Sequence, residues 1–270
     1  FVEITGVVRS VHPEADSQHQ LIEIATGGGR LTVYASRLPV TRMEELVDST
    51  VRVRGVCSTL FNHQGQLFAI RLMVPRLEDL TIEVPAPLEP FAVPSRSIGS
   101  LLRFTPHESY GHRVKVSGTV TYHEPGRVLF LQDGSEGLQV RAEARGALQA
   151  GDRVEVLGFP VQGEYTPVLE DSVYRRLSSG PLPDPAGITK DDALKGTYDC
   201  RLVRIAAKLL DRAQHSHEQF LVLEADNFIF HAYLRQQEGE DAFARLENGS
   251  RVALAGVCLI EPGEWQAGEN

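Results

Sequence analysis

Cysteine is scarce in this 270-residue chain: there are three, and no two are spaced Cys-x-x-Cys. Three cannot all pair with one another, which argues against a disulfide scaffold, and their spacing argues against a cysteine-ligated zinc. Long apolar runs are missing too, so no stretch of about 18 residues is fit to cross a bilayer as a helix. Basic charge is in deficit, with 27 Lys and Arg against 36 Asp and Glu and a formal net charge of −9. A general nucleic-acid binder needs a basic footprint, so nucleic acid is not the expected partner. The mechanistic signatures GxxxxGK[ST], GxGxxG behind a strand, HExxH and GxSxG are absent. Gly27-Gly28-Gly29 is followed by strand-like residues rather than a helix, and Asp133-Gly134-Ser135 lacks a base beside it; both read as hairpins. The expectation is therefore a chain without catalytic residues, metal or cofactor. It has no initiator Met and opens in the strand-like Phe1-Val2-Glu3-Ile4, which suggests a piece of a longer protein.

What is present is a weak repeat with a period of roughly 90 to 100 residues. The middle copy is clearest. Arg113 to Val120 alternates polar and apolar, Leu129-Phe130-Leu131-Gln132 follows, and Asp133-Gly134-Ser135-Glu136-Gly137 makes a hairpin into Leu138-Gln139-Val140-Arg141. Glu143 to Ala150 suits a short helix, Arg153 to Gly158 is a fourth strand, and Tyr165 to Tyr174 a fifth. The first copy repeats this order, with Met43 to Val47 in the helical place and Gln66 to Val74 as its fifth strand. The third copy has Asp241 to Leu246 in the helical place and no fifth strand. Gly6 and Gly118 fall where a long first strand must bend, and the third copy has Ile205-Ala206-Ala207 there.

Five strands with a helical segment between the third and fourth is the order of the OB-fold, a small Greek-key barrel. An immunoglobulin-like sandwich lacks that insert and needs about seven strands. The expected fold class is all-β: three tandem OB-fold-like five-stranded barrels with short helical inserts, the last truncated. The expected organisation is a first barrel over 1–84, a Pro-rich linker over 85–110, a second barrel over 111–176, a linker with a short helix over 177–195, and an incomplete third barrel over 196–270.

The face made by strands two and three is where such barrels engage ligands. In the middle copy, alternation turns Leu129, Leu131, Leu138 and Val140 inward and Phe130, Gln132, Gln139 and Arg141 outward. With Tyr122, Arg127 and Tyr165 from adjoining loops, these form the candidate ligand-binding set, suited to stacking on and hydrogen-bonding a ring, unless a neighbouring barrel or linker covers them. The middle segment carries eight basic against nine acidic residues and the third seven against eleven, so neither offers a positive field. His12, His19, His63, His123, His215 and His217 cluster in loop positions. They lack a third ligand at diagnostic spacing and read as solvated residues. Cys57 and Cys258 end equivalent Gly-Val-Cys segments and read as small buried thiols.

The segments Arg52-Val53-Arg54-Gly55-Val56-Cys57, Ile98-Gly99-Ser100-Leu101-Leu102-Arg103-Phe104, Leu129 to Gly134, Gly151 to Val156, Gly163 to Asp171 and Gly256-Val257-Cys258 resemble the periplasmic multi-OB-fold sensor regions of bacterial membrane-bound sensor histidine kinases and of related diguanylate cyclase receptors. That resemblance implies a non-catalytic, extracytoplasmic sensing region of an inner-membrane protein. It would bind a small molecule or an envelope protein, with a homodimer as one arrangement, and pass the signal to a transmembrane helix and transmitter that this chain lacks. The alternatives are an OB-fold binder of single-stranded nucleic acid and a structural interaction scaffold.

Overall fold

A computed structural model describes all residues except 15–18, 28, 37–42, 44, 62–66, 102–110, 135, 143, 145, 216–217, 236–245 and 261–270. It is nearly all-β and holds three sheets. The first contains β1 (Val2–Pro13), β2 (His19–Thr26), β3 (Gly29–Ser36), β4 (Thr50–Phe61), β5 (Leu67–Val74) and β6 (Leu80–Val84). It runs β1-β2-β3-β5-β4, closes through β1–β4, and carries β6 on the outer edge of β4. The second sheet repeats the circuit with β8 (Val114–Glu124), β9 (Val128–Asp133), β10 (Glu136–Arg141), β11 (Asp152–Val161) and β12 (Val168–Ser179), and short β7 (Ser95–Arg96) pairs with β8. Both circuits are OB-type closed barrels, with the fifth strand parallel to the third and antiparallel to the fourth. The third sheet has β13 (Ala186–Gly187), β14 (Leu202–His215), β15 (Glu218–Ala225), β16 (Phe228–Arg235) and β17 (Arg251–Val257), in the same order but without a fifth member among the described residues.

Each barrel closes because its first strand serves two partners. Val2 to Val7 pair with β4 and Val7 to Pro13 with β2, and a bulge falls between Val8 and Ser10. The same bulge recurs between Val120 and Tyr122 and between Leu209 and Asp211. Glycine just before the bulge has a steric reason at Gly6, where a Cβ would stand 2.3 Å from the Ala25 carbonyl oxygen. Alternation fills the interiors: Val8, Ile22, Ile24, Val33 and Leu72 in the first barrel, and Val116, Leu129, Leu131, Leu138 and Val156 in the second, are all buried.

Of the expected helices, the one at Met43 to Val47 holds at the described residues Met43, Glu45 and Leu46, and the one before β11 needs correction. The described residues between β10 and β11 form no helix. The Ala144 and Gly146 carbonyls instead accept the Tyr174 hydroxyl, and Ala144 also accepts the Gly126 N–H, which holds the segment open against the barrel. The helix expected at Asp241 to Leu246 lies outside the described residues except for Leu246. A short helix, α1 (Lys190–Leu194), does form in the second linker, capped at Thr189 by a reciprocal pair of hydrogen bonds with Asp192.

Candidate functional site

The structure scatters the candidate residues of the middle barrel. Leu129, Leu131, Leu138 and Val140 point inward as alternation requires, but the opposite face is largely covered. Phe130 is 4% exposed, its ring tilted against Tyr122 at 6.2 Å. Gln132 is 8% exposed, and its carboxamide oxygen accepts the Leu202 N–H of the third sheet at 3.1 Å. Arg141 is tied to Glu170 at 2.9 Å, and Arg127 pairs locally with Glu124. Gln139 is half-buried. Tyr165, 44% exposed, stands apart in a cleft of about 370 Å³ between the second and third sheets, with Glu136, Thr166, Lys195, Gly196 and Asp199. Among the histidines, His63 and His217 and the side chain of His215 lie outside the described residues; His123 packs edge-on against Tyr174. Cys57 is exposed, not buried, and Cys258 is partly buried.

The covering arises because the three modules are docked. Between the first and second, Arg9 is the residue that the β1 bulge leaves out of the ladder, and the bulge aims it across the boundary. Its guanidinium lies over the Phe159 ring at 4.8 Å and reaches Asp171 at 3.3 Å and Glu170 at 3.5 Å. Arg113 stacks on Phe159 at 5.2 Å and donates to the Asp171 carbonyl. Glu170 also accepts Arg30, so one carboxylate serves arginines from both barrels. Between the second and third, Thr166 donates to Asp199 at 2.7 Å, and burial pushes the nearby Cys200 thiol up to about 12.

Asp48 supplies a further tie. The turn before each fourth strand needs a left-handed residue, whose N–H reaches back to the first strand: Gly151 and Gly249 fill it in two barrels, and Asp48, at φ 73°, in the first. The exception has a use. The Asp48 carboxylate accepts the Arg113 N–H and the His112 Nδ1–H, each at 3.0 Å. That hydrogen bond raises the His112 pKa above its ordinary value, against an opposing desolvation. A raised folded-state value places the stabilisation below the unfolded pKa of about 6.5 and removes it as pH rises through the folded value. Thermal melts from pH 6 to 8 should therefore show the wild-type chain losing more stability than His112→Gln. Equal slopes would remove His112 from the account.

The exposed face of strands two and three lies in the third sheet. Phe220 and Tyr233 are directly opposed across β15 and β16, and His231 opposes Val222 one step along. The three rings form one cluster, with centroids 5.8 to 6.1 Å apart. Tyr233 is 62% exposed and neighbouring Ile229 58%. The inward set, Leu221, Leu223 and Phe230, fills the core, so the outward rings are surplus to packing. The candidate set expected from the sequence came from the cleaner middle copy and included no residue of this face. The available signal was alternation through Phe220-Leu221-Val222 and His231-Ala232-Tyr233, which puts three rings on one outer face.

No family model matches the chain, and no curated protein does. Among solved structures it is similar to the p204 HINb domain, at 13% identity over 65% of this chain and 97% of that one, with a TM-score of 0.27. It is similar also to a murine DNA-binding protein bound with double-stranded DNA, at 10% identity over 66% and 100%, with a TM-score of 0.29. A third is fission yeast Pot1 with single-stranded DNA, at 10% identity over 63% and 85%, with a TM-score of 0.25. None of these is a kinase sensor region, and two hold DNA. The expected histidine-kinase sensing role, its extracytoplasmic placement, its small-molecule or envelope-protein partner and the exclusion of nucleic acid are corrected accordingly. What is established is the architecture: tandem OB-type barrels, with an aromatic cluster on the outer face of the third.

Proposed function

We propose that the chain binds single-stranded nucleic acid by stacking bases on the third sheet, and that it acts by binding, without catalysis. The observation that carries this reading is the ring cluster on the outer face of β15 and β16, in which His231 and Tyr233 are exposed and Phe220 is half-buried. Every base has a π-face, and a base stacked on an aromatic side chain contributes about 1–3 kcal/mol. Lys208 is exposed on the same sheet, whereas Asp211 and Glu224 offset it, so phosphate attraction is small here. With a net charge of −9, stacking dominates and the salt dependence of binding is shallow.

Fluorescence anisotropy with a labelled oligothymidylate at low salt tests this. The wild-type chain should bind, and Phe220→Ala/Tyr233→Ala should weaken binding roughly tenfold or more. Neither ring belongs to the core, so circular dichroism of the variant should match that of the wild type. No binding at low salt, or equal binding by the variant, overturns the proposal.

A further inference from the structure

The boundary between the first two barrels gathers more arginine than it has carboxylate to match. Arg9, Arg30, Arg113 and Arg141 converge there on Glu170 and Asp171, in a chain whose net charge is −9. Arg9 is buried in the joint, but Arg30 and Arg141 are 45% and 59% exposed. They meet from different barrels, Arg30 on one oxygen of Glu170 and Arg141 on the other, and each spends a single nitrogen on it. The remaining donors of both forks have no partner among the described residues. A third guanidinium on the same face has no counter-ion. Arg30, Thr32 and Tyr34 point away from the first barrel's core, since Leu31 and Val33 pack into it. Arg71 stands beside Thr32 on β5, with its guanidinium 5.1 Å over the Tyr34 ring, and its buried Nε has no hydrogen-bond partner. With strands about 4.8 Å apart and a rise of about 3.3 Å per residue, the Cα atoms of Arg30 and Arg71 lie about 8 Å apart. Two further carboxylates stand near. Asp48 is occupied by His112 and the Arg113 N–H, and Glu23, across from Thr32, forms an ion pair with neither Arg30 nor Arg71.

We infer that Arg30, Arg141 and Arg71 form a binding site for the diphosphate group of a small phosphorylated ligand. Arg30 and Arg141 take one phosphate between them, and Arg71 takes the next. Phosphate suits this place better than a carboxylate does. Its terminal oxygens point in three directions and accept two guanidinium forks that arrive from different strands, whereas a carboxylate offers two oxygens in one plane. The unpaired Arg71 is the reason for a second phosphate. Tyr34, at the Arg71 end, is where a nucleoside carried on that diphosphate would lie. The site stands apart from the stacking face of the third sheet and does not rest on it.

Isothermal titration of the full chain at low salt tests this, with pyrophosphate and ADP as probes and acetate as the control. Pyrophosphate should bind and acetate should not. ADP binding as tightly as pyrophosphate supports a site that reads the diphosphate alone; tighter binding of ADP supports one in which Tyr34 adds a contact to the nucleoside. Arg30→Ala/Arg141→Ala should weaken pyrophosphate binding about tenfold or more. Its circular dichroism should match the wild type, because both side chains are exposed and Arg9 still holds Glu170. Arg71→Gln should weaken pyrophosphate and leave orthophosphate unchanged. Three results overturn the inference: no heat with pyrophosphate by about 1 mM, equal pyrophosphate binding by either variant, or acetate binding as well as pyrophosphate. Phe220→Ala/Tyr233→Ala should leave pyrophosphate affinity unchanged, so this result and the oligothymidylate titration stand or fall separately.

Discussion

Phe159→Ala should destabilise the chain by about 3–5 kcal/mol, the usual cost of removing a buried phenyl ring. Phe159 is 1% exposed and serves two purposes at once. It fills space at the boundary of the first two barrels, and it gives Arg9 and Arg113 a π-face to lie against. Without the ring, both guanidinium groups stay buried and lose that contact while Glu170 and Asp171 still hold Arg9. Each barrel has its own closed ladder and core, so the damage should show as uncoupling. Urea unfolding followed by circular dichroism should split into two transitions in the variant where the wild type has one. Phe159→Leu separates the contributions: it restores most of the volume without the π-face and should recover only part of the loss. Full recovery by leucine would mean that the cation–π contacts add nothing.

Gly137→Val should have the largest effect at the other boundary. A Cβ on Gly137 would lie 2.3 Å from the carbonyl carbon and oxygen of Cys200 and 2.8 Å from the Arg201 nitrogen. These obstacles are all backbone, so no side chain can rotate away. The third sheet must move, at an overpacking cost of about 1–3 kcal/mol. The displacement would break the Gln132–Leu202 and Thr166–Asp199 hydrogen bonds, which lie on the same boundary. Small-angle scattering should report a larger radius of gyration, and protease should cut faster at Ser178 to Pro185. Gly134→Val, where a Cβ meets nothing within 4 Å, controls for general loss at a glycine, although its φ of +59° gives that substitution a strain of its own. Unchanged scattering from Gly137→Val would show that the two modules are not held at this point.

The strand order and the inward sets were legible in the sequence because they rest on period-two alternation and on Gly-containing hairpins, both local. Gly6 and Gly118 marked the bends of their strands for the same reason. What was not legible depended on contacts between modules. Alternation correctly turned Phe130 and Gln132 outward, but nothing local in Leu129-Phe130-Leu131-Gln132 shows that the backbone of Leu202 sits over that face. Arg9 escaped notice because a bulged residue breaks the alternation that would have placed it. Asp48 escaped because its turn position holds glycine in the other two copies, and an aspartate there reads as an ordinary loop residue. The helix expected before β11 fitted local propensity, but the Tyr174 hydroxyl, some 30 residues later, takes the carbonyls such a helix would need.

The Arg9–Asp171 contact spans 162 residues of sequence, and that distance has a consequence for the order of assembly. The first barrel has every strand of its ladder once β6 is made, well before Asp171 leaves the ribosome. Domains fold as units as they emerge, at about 5–20 residues per second. For several seconds of synthesis, then, the first barrel stands complete with its future docking surface bare. The central group on that surface is a guanidinium, which water solvates well while the carboxylates that will hold it are still being made. A hydrophobic clamp at Arg9 would leave the nascent chain adhesive throughout that interval, whereas a charged one lets it wait.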